Sequence, residues 1–85
     1  MEEFIYTIKN PIGLHMRPAK ELYELAKVLD SEVYIVFNDR TIKADSVLRI
    51  VAAGIPSESV VKFRVVGGSC RHNAELLESL VRKIL

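Results

Sequence analysis

The chain has one cysteine, no tryptophan, four glycines and three prolines among 85 residues. The lone thiol, Cys70, excludes an internal disulfide. With only two histidines and no second cysteine near it, the sequence also shows no structural metal site. So little glycine and proline leaves no linker or low-complexity stretch, and no internal repeat is visible. An excess of one charge is missing too: twelve Lys and Arg oppose eleven Asp and Glu, for a net charge of +1. Bulk electrostatics therefore gives no reason to expect nucleic acid or a membrane surface as partner. No apolar run approaches the length of a membrane span. The opening Met1-Glu2-Glu3 is unlike the basic and then apolar start of a signal peptide, so a cytoplasmic location is the expectation.

What is present is an apolar fraction of 49%, suited to one small domain over residues 1–85. A chain of this length buries roughly 60 to 65 per cent of its unfolded surface. Phe4, Tyr6 and Ile8 alternate with Glu3, Thr7 and Lys9, although Ile5 breaks the polar side, and predict a strand over about residues 2–8 that Asn10-Pro11 ends. Ala19, Leu22, Tyr23, Ala26 and Leu29 form one stripe of a helix whose other side carries Lys20, Glu21, Glu24 and Lys27. Asp30-Ser31 breaks that pattern, and Val33, Ile35 and Phe37 mark a second strand. Asn38-Asp39 reads as a two-residue hairpin turn into a short third strand from Arg40 to Lys43. Asp45 or Ser46 caps a helix of about two turns over Val47–Ala53, closed by Gly54 and Pro56. Val61, Phe63 and Val65 mark a fourth strand, and Gly67-Gly68-Ser69 turns out of it. The last helix points Ala74, Leu77, Val81 and Ile84 inward, with Glu78 and Arg82 spaced for an i,i+4 ion pair and a cationic end that suits its dipole. The order β-α-β-β-α-β-α is a split-βαβ pattern in which helices cover the apolar face of a sheet.

The chemistry concentrates in Gly13-Leu14-His15-Met16-Arg17-Pro18-Ala19, where a loop becomes the first turn of a helix. Pro18 suits a first turn because its missing N–H is one of the donors a helix start leaves unpaired. His15 at the cap and Arg17 just inside it direct an imidazole, free amides, the positive helix end and a guanidinium at one small volume. A neutral imidazole nitrogen is a nucleophile near pH 7, and that helix end favours the anion that phosphorylation creates. Arg17 has the planar fork that suits a phosphate ligand.

This run resembles the active-site signature of the HPr family, the histidine-containing phosphocarriers of the sugar phosphotransferase system. The likeness extends over nearly the whole chain, with Asn38, Thr41, Ser46 and Gly54-Ile55 falling where an HPr has them without insertion. The resemblance implies an α+β open-faced sandwich, a four-stranded antiparallel sheet with three helices on one face. It implies a relay rather than an enzyme acting alone: enzyme I, charged by phosphoenolpyruvate, donates a phosphoryl group to Nδ1 of His15, and a sugar-specific EIIA domain receives it. No bound cofactor or metal is implied, and the chain is expected to be a monomer. By the same resemblance Ser46 is a regulatory site for a dedicated serine kinase, while Val47, Leu48 and Val51 join Met16 and Lys20 in a partner-docking face around His15.

Some positions depart from the family's usual residues. Ile12 replaces a small polar residue ahead of the G-x-H run, Asp45 stands where lysine is more common, and Arg49 where glycine or another small residue is. Ser69-Cys70-Arg71-His72 brings basic residues to a helix start that prefers anions, and nothing local explains it. Cys70 and His72 read as an ordinary thiol and an ordinary surface histidine. These departures support a second reading, a diverged regulatory interaction protein, such as a partner of a transcriptional regulator, controlled through Ser46. Retention of both His15 and Arg17 favours the relay.

Overall fold

The computed structural model describes residues 1–85 as β1 (Glu2–Thr7), α1 (Met16–Val28), β2 (Glu32–Phe37), β3 (Arg40–Lys43), α2 (Val47–Ala52), β4 (Val60–Val66) and α3 (Cys70–Ile84). The strands form one antiparallel sheet in the order β1-β4-β2-β3. This is the expected split-βαβ arrangement, with the last strand inserted between the first two.

Alternation along the strands separates the two sheet faces. Phe4, Phe63, Ile35 and Ile42 stand side by side across all four strands. They face the helices, and the Phe4 and Phe63 rings stack with centroids 5.2 Å apart. This row joins Leu22 of α1, Ile50 of α2 and Leu77 and Val81 of α3 in a single hydrophobic core. Each such fully buried side chain is worth about 1.5–3 kcal/mol of transfer free energy. The adjacent row, Glu3, Arg64, Tyr34 and Lys43, points the other way and is polar. There Glu3 accepts from Arg64 Nε and faces Lys62 at 3.8 Å, which holds its carboxyl below the usual range. Tyr34 donates to Glu32, which pushes the phenol up. These partners are solvated, so they maintain a polar face more than they stabilise the fold.

The turns follow their residue types. Asn38 and Asp39 have φ of 49° and 63°, the left-handed pair that a tight two-residue hairpin needs. Two boundaries differ from the sequence reading. β1 ends at Thr7, although Ile8 is fully buried and still donates to the Ser59 carbonyl at 2.8 Å. α2 stops at Ala52, one residue short, with Ala53 as its C-cap. α3 begins at Cys70, within the Ser69-Cys70-Arg71-His72 start read from sequence and four residues before its first inward apolar residue, Ala74.

The start of α3 is held by a long-range cap. Ser69 makes no side-chain cap bond of its own. Asp30, from the turn after α1, accepts instead from the Ser69 amide at 3.1 Å and hydroxyl at 3.2 Å with one oxygen, and from Asn73 Nδ2 at 2.6 Å with the other. Asn73, the one buried polar side chain, also donates to Ser31 Oγ at 2.8 Å. The Asn73 bond first, and the Ser69 amide next, hold the Asp30 carboxyl below its ordinary value. The basic start of α3 is thus explained: the anion its dipole prefers is delivered from elsewhere in the chain. The approach is close enough that a Cβ on Gly68 would lie 2.1 Å from the Asp30 carbonyl oxygen.

Candidate functional site

The loop before α1 is built by Asn10 and Gly13. Asn10 Oδ1 accepts from the Ile12 amide at 3.0 Å and its carbonyl from the Gly13 amide at 2.9 Å, which closes a tight turn around Pro11. The turn is thus steadied by the Asn10 side chain, although Ile12 brings no polar side chain of its own. Gly13 has φ of +82°, and a Cβ there would fall 2.6 Å from the Ile55 carbonyl oxygen. The same carbonyl accepts from Leu14 at 2.9 Å, so the loop is clamped to the Ile55-Pro56 segment, with Leu14 buried beneath it. The outer end of the turn is tied to α3: Asn10 Nδ2 donates to the Ile84 carbonyl at 3.3 Å and its amide to that of Leu85 at 2.7 Å.

His15 is therefore delivered to the N-cap of α1 by a loop fixed at both ends. Its backbone is extended, its carbonyl accepts from Ala19 at 3.0 Å, and its half-buried side chain makes no cap bond. Met16 and Arg17 follow as the first two helical residues. No backbone carbonyl takes up their N–H groups, and Pro18, third and buried, has none to offer. His15, Arg17 and Pro18 line one open hollow of about 450 Å³ together with Asn10, Ile12, Glu21, Lys83 and Ile84. Arg17 is exposed and makes no ion pair, so its guanidinium is free to take an anion. An imidazole and an unpaired guanidinium on one concave surface, with two free amides in the helix turn that carries them, can receive a dianion and hold its oxygens. No group of three His, Cys, Asp or Glu side chains is placed to hold a metal.

Of the candidate site residues read from sequence, His15 and Arg17 share this hollow, with Pro18 and Ile12 also in its lining, while Ser46 and the expected docking residues lie outside it. Met16 and Leu48 stand free, 52% and 73% exposed, and Lys20 is exposed on α1. Val47 and Val51 are half-buried against the core, so each leaves only part of its surface to a partner. α2 packs against α1, the helix that His15 caps, so these apolar side chains lie on two neighbouring helices. Ser46 is the N-cap of α2, accepting from the Arg49 amide at 3.3 Å. Asp45 and Arg49, two separate departures in the sequence, form one i,i+4 ion pair at 3.3 Å. The sequence reading missed Asn10, Glu21 and Lys83 at the hollow. Asn10 had a usable signal, an Asx-turn residue before proline; Lys83 had none, because only the fold brings residues 15 and 83 together.

Fold and site define a class: small α+β phosphocarriers that present a histidine at a helix start beside an anion-ready hollow. The family described as "PTS HPr component phosphorylation site" matches residues 2–83. The chain belongs to this HPr family, the phosphocarriers of the phosphotransferase system, which carry a phosphoryl group rather than act as catalysts. It is similar to the phosphocarrier protein HPr of Buchnera aphidicola subsp. Acyrthosiphon pisum, 29% identical over 91% of each chain. It is 32% identical to that of Chlamydia muridarum, over 76% of this chain and 62% of the relative. Among solved structures, HPr from Thermoanaerobacter tengcongensis superposes with a TM-score of 0.89 at 28% identity, covering 98% of this chain and 93% of the other.

Proposed function

We propose that the chain is a relay that accepts a phosphoryl group on Nδ1 of His15 from enzyme I, itself charged by phosphoenolpyruvate, and passes it to sugar-specific EIIA domains in the cytoplasm, working as a monomer. The observation that carries this reading is the unpartnered His15 imidazole facing the same hollow as the unpaired Arg17 guanidinium. In the transfer the Nδ1 lone pair attacks phosphorus in line, the P–N bond forms as the bond to the donor breaks, and the ring keeps its proton on Nε2. Charge spreads over the three phosphoryl oxygens, where the Met16 and Arg17 amides, the helix end and the guanidinium meet it. Onward transfer is the same step with the roles exchanged. Partners dock on Met16, Lys20 and Leu48, with the accessible parts of Val47 and Val51, and desolvate the site as they do.

Ser46 adds a regulatory reading, phosphorylation by a serine kinase and signalling to a transcriptional regulator. The Asp45–Arg49 ion pair supports it, because the guanidinium offsets the repulsion Asp45 would exert on a phosphate at Ser46. The primary test incubates the protein with phosphoenolpyruvate and enzyme I and measures its intact mass. The parent should gain one acid-labile, base-stable phosphoryl group, and His15→Ala should gain none while keeping its melting temperature. Undiminished labelling of His15→Ala would end the proposal.

A further inference from the structure

We infer that Lys83 is a second phosphoryl-binding cation beside Arg17, an inference that rests on His15 being the phosphoryl acceptor. Lys83 lies 68 positions from His15 in sequence yet lines the same hollow. The last turn of α3 is held there by the Asn10 bonds to Ile84 and Leu85 and by the buried Leu85 side chain. The base of Lys83 is therefore fixed while its four-carbon stem can sweep the hollow. The ammonium makes neither an ion pair nor a hydrogen bond. Its neighbour Arg82, by contrast, is engaged by Glu78 at 2.9 Å, one turn back along the helix.

The local charge gives that free ammonium a purpose. The only carboxylate lining the hollow is Glu21, so without Lys83 it would simply balance Arg17. With Lys83 the hollow carries a net positive charge before transfer, and a phosphoryl group brings about −1.5 to −2. The two cations then divide the work. The planar fork of Arg17 fixes oxygen geometry, and Lys83 acts as a mobile point charge offsetting Glu21 in the same hollow. The plain alternative is that Lys83 only complements the dipole at the end of α3. Arg82 has that role equally and does not line the hollow, which makes it the control.

The experiment compares the full-length parent with Lys83→Gln, Lys83→Arg, Lys83→Glu and Arg82→Gln in two measurements. Inorganic phosphate is titrated into the unphosphorylated proteins while the Met16 and Arg17 amide resonances are followed, and initial rates of phosphoryl acceptance from enzyme I are measured. Lys83→Gln should weaken phosphate binding and slow acceptance by about three- to tenfold, Lys83→Glu should do so further, and Lys83→Arg should stay within about twofold of the parent. Arg82→Gln should match the parent in both. Parent-like behaviour of Lys83→Gln, or an equal loss in Arg82→Gln, overturns the inference. If the parent itself accepts no phosphoryl group on His15, the phosphocarrier proposal fails, and the phosphate titration still decides whether Lys83 binds the anion.

Discussion

At the scale of single residues, the site depends on what is left unpaired. His15 and Arg17 have no side-chain partners in the protein, so in the proposed transfer neither must first break a bond, and preorganisation comes from the backbone alone. Arg17→Lys keeps the charge but loses the fork. It should slow phosphoryl acceptance about ten- to a hundredfold with little change in melting temperature, measured as single-turnover rates from enzyme I. Parent-like rates in both Arg17→Lys and Arg17→Ala would remove the guanidinium from the mechanism. Gly13 is constrained in the opposite sense. It must have positive φ and no Cβ, because the Ile55 carbonyl occupies the place a side chain would take.

At the scale of elements, the helix starts are handled in three different ways. α1 leaves its first amides open at His15, α2 closes its own through Ser46, and α3 borrows Asp30 from the far side of α1. The borrowed cap makes a pH prediction. Because folding lowers the Asp30 pKa, its contribution is fully present above the unfolded value of about 4 and is lost as pH falls through the lower folded value. Asp30→Ala should therefore melt roughly 5 °C lower at pH 7, and the gap to the parent should close in calorimetric scans as the pH falls through the lowered folded value. A gap that persists unchanged at low pH would show that the carboxylate is not the cap. For α2, Ser46→Ala should lose about 0.5 to 2 kcal/mol, toward the low end because the cap bond is long, and transfer normally. Ser46→Asp should keep its melting temperature within a few degrees, since the dipole and Arg49 favour an anion there, but accept phosphoryl groups more slowly because a docking partner must desolvate the new charge. Equal transfer rates for Ser46→Asp and the parent would leave Ser46 as a cap only.

At the scale of the whole molecule, the site is a junction between the beginning and the end of the fold. Asn10 follows the first strand, bonds to the end of the last helix, and shapes the turn that delivers His15. Asn10→Ala removes two side-chain bonds whose net worth is about 1 kcal/mol each, so it should lower stability by about 1 to 2 kcal/mol in urea unfolding. It should also slow phosphoryl acceptance, because the loop and Lys83 lose their common anchor. A loss of stability with unchanged transfer would mean that the turn holds the fold but not the site.

The element order, the inward faces of the strands and the position of His15 at a helix start were legible in residues alone, because each depends on interactions within a few positions. Period-two alternation sorts Phe63 from Lys62 and Arg64, Asn38-Asp39 accepts positive φ, and Pro18 tolerates a first turn. The likeness of Gly13 to Ala19 to a phosphocarrier signature named the chemistry before any coordinate was needed. What only the tertiary structure decided is what joins distant positions: Asp30 capping α3, Asn10 tied to Ile84, and Lys83 beside His15. Hydrogen bonds between distant residues leave no periodic trace in sequence. A hydrophobic stripe repeats and can be counted, whereas a single polar partner 39 or 74 residues away becomes identifiable only when packing brings the two side chains together.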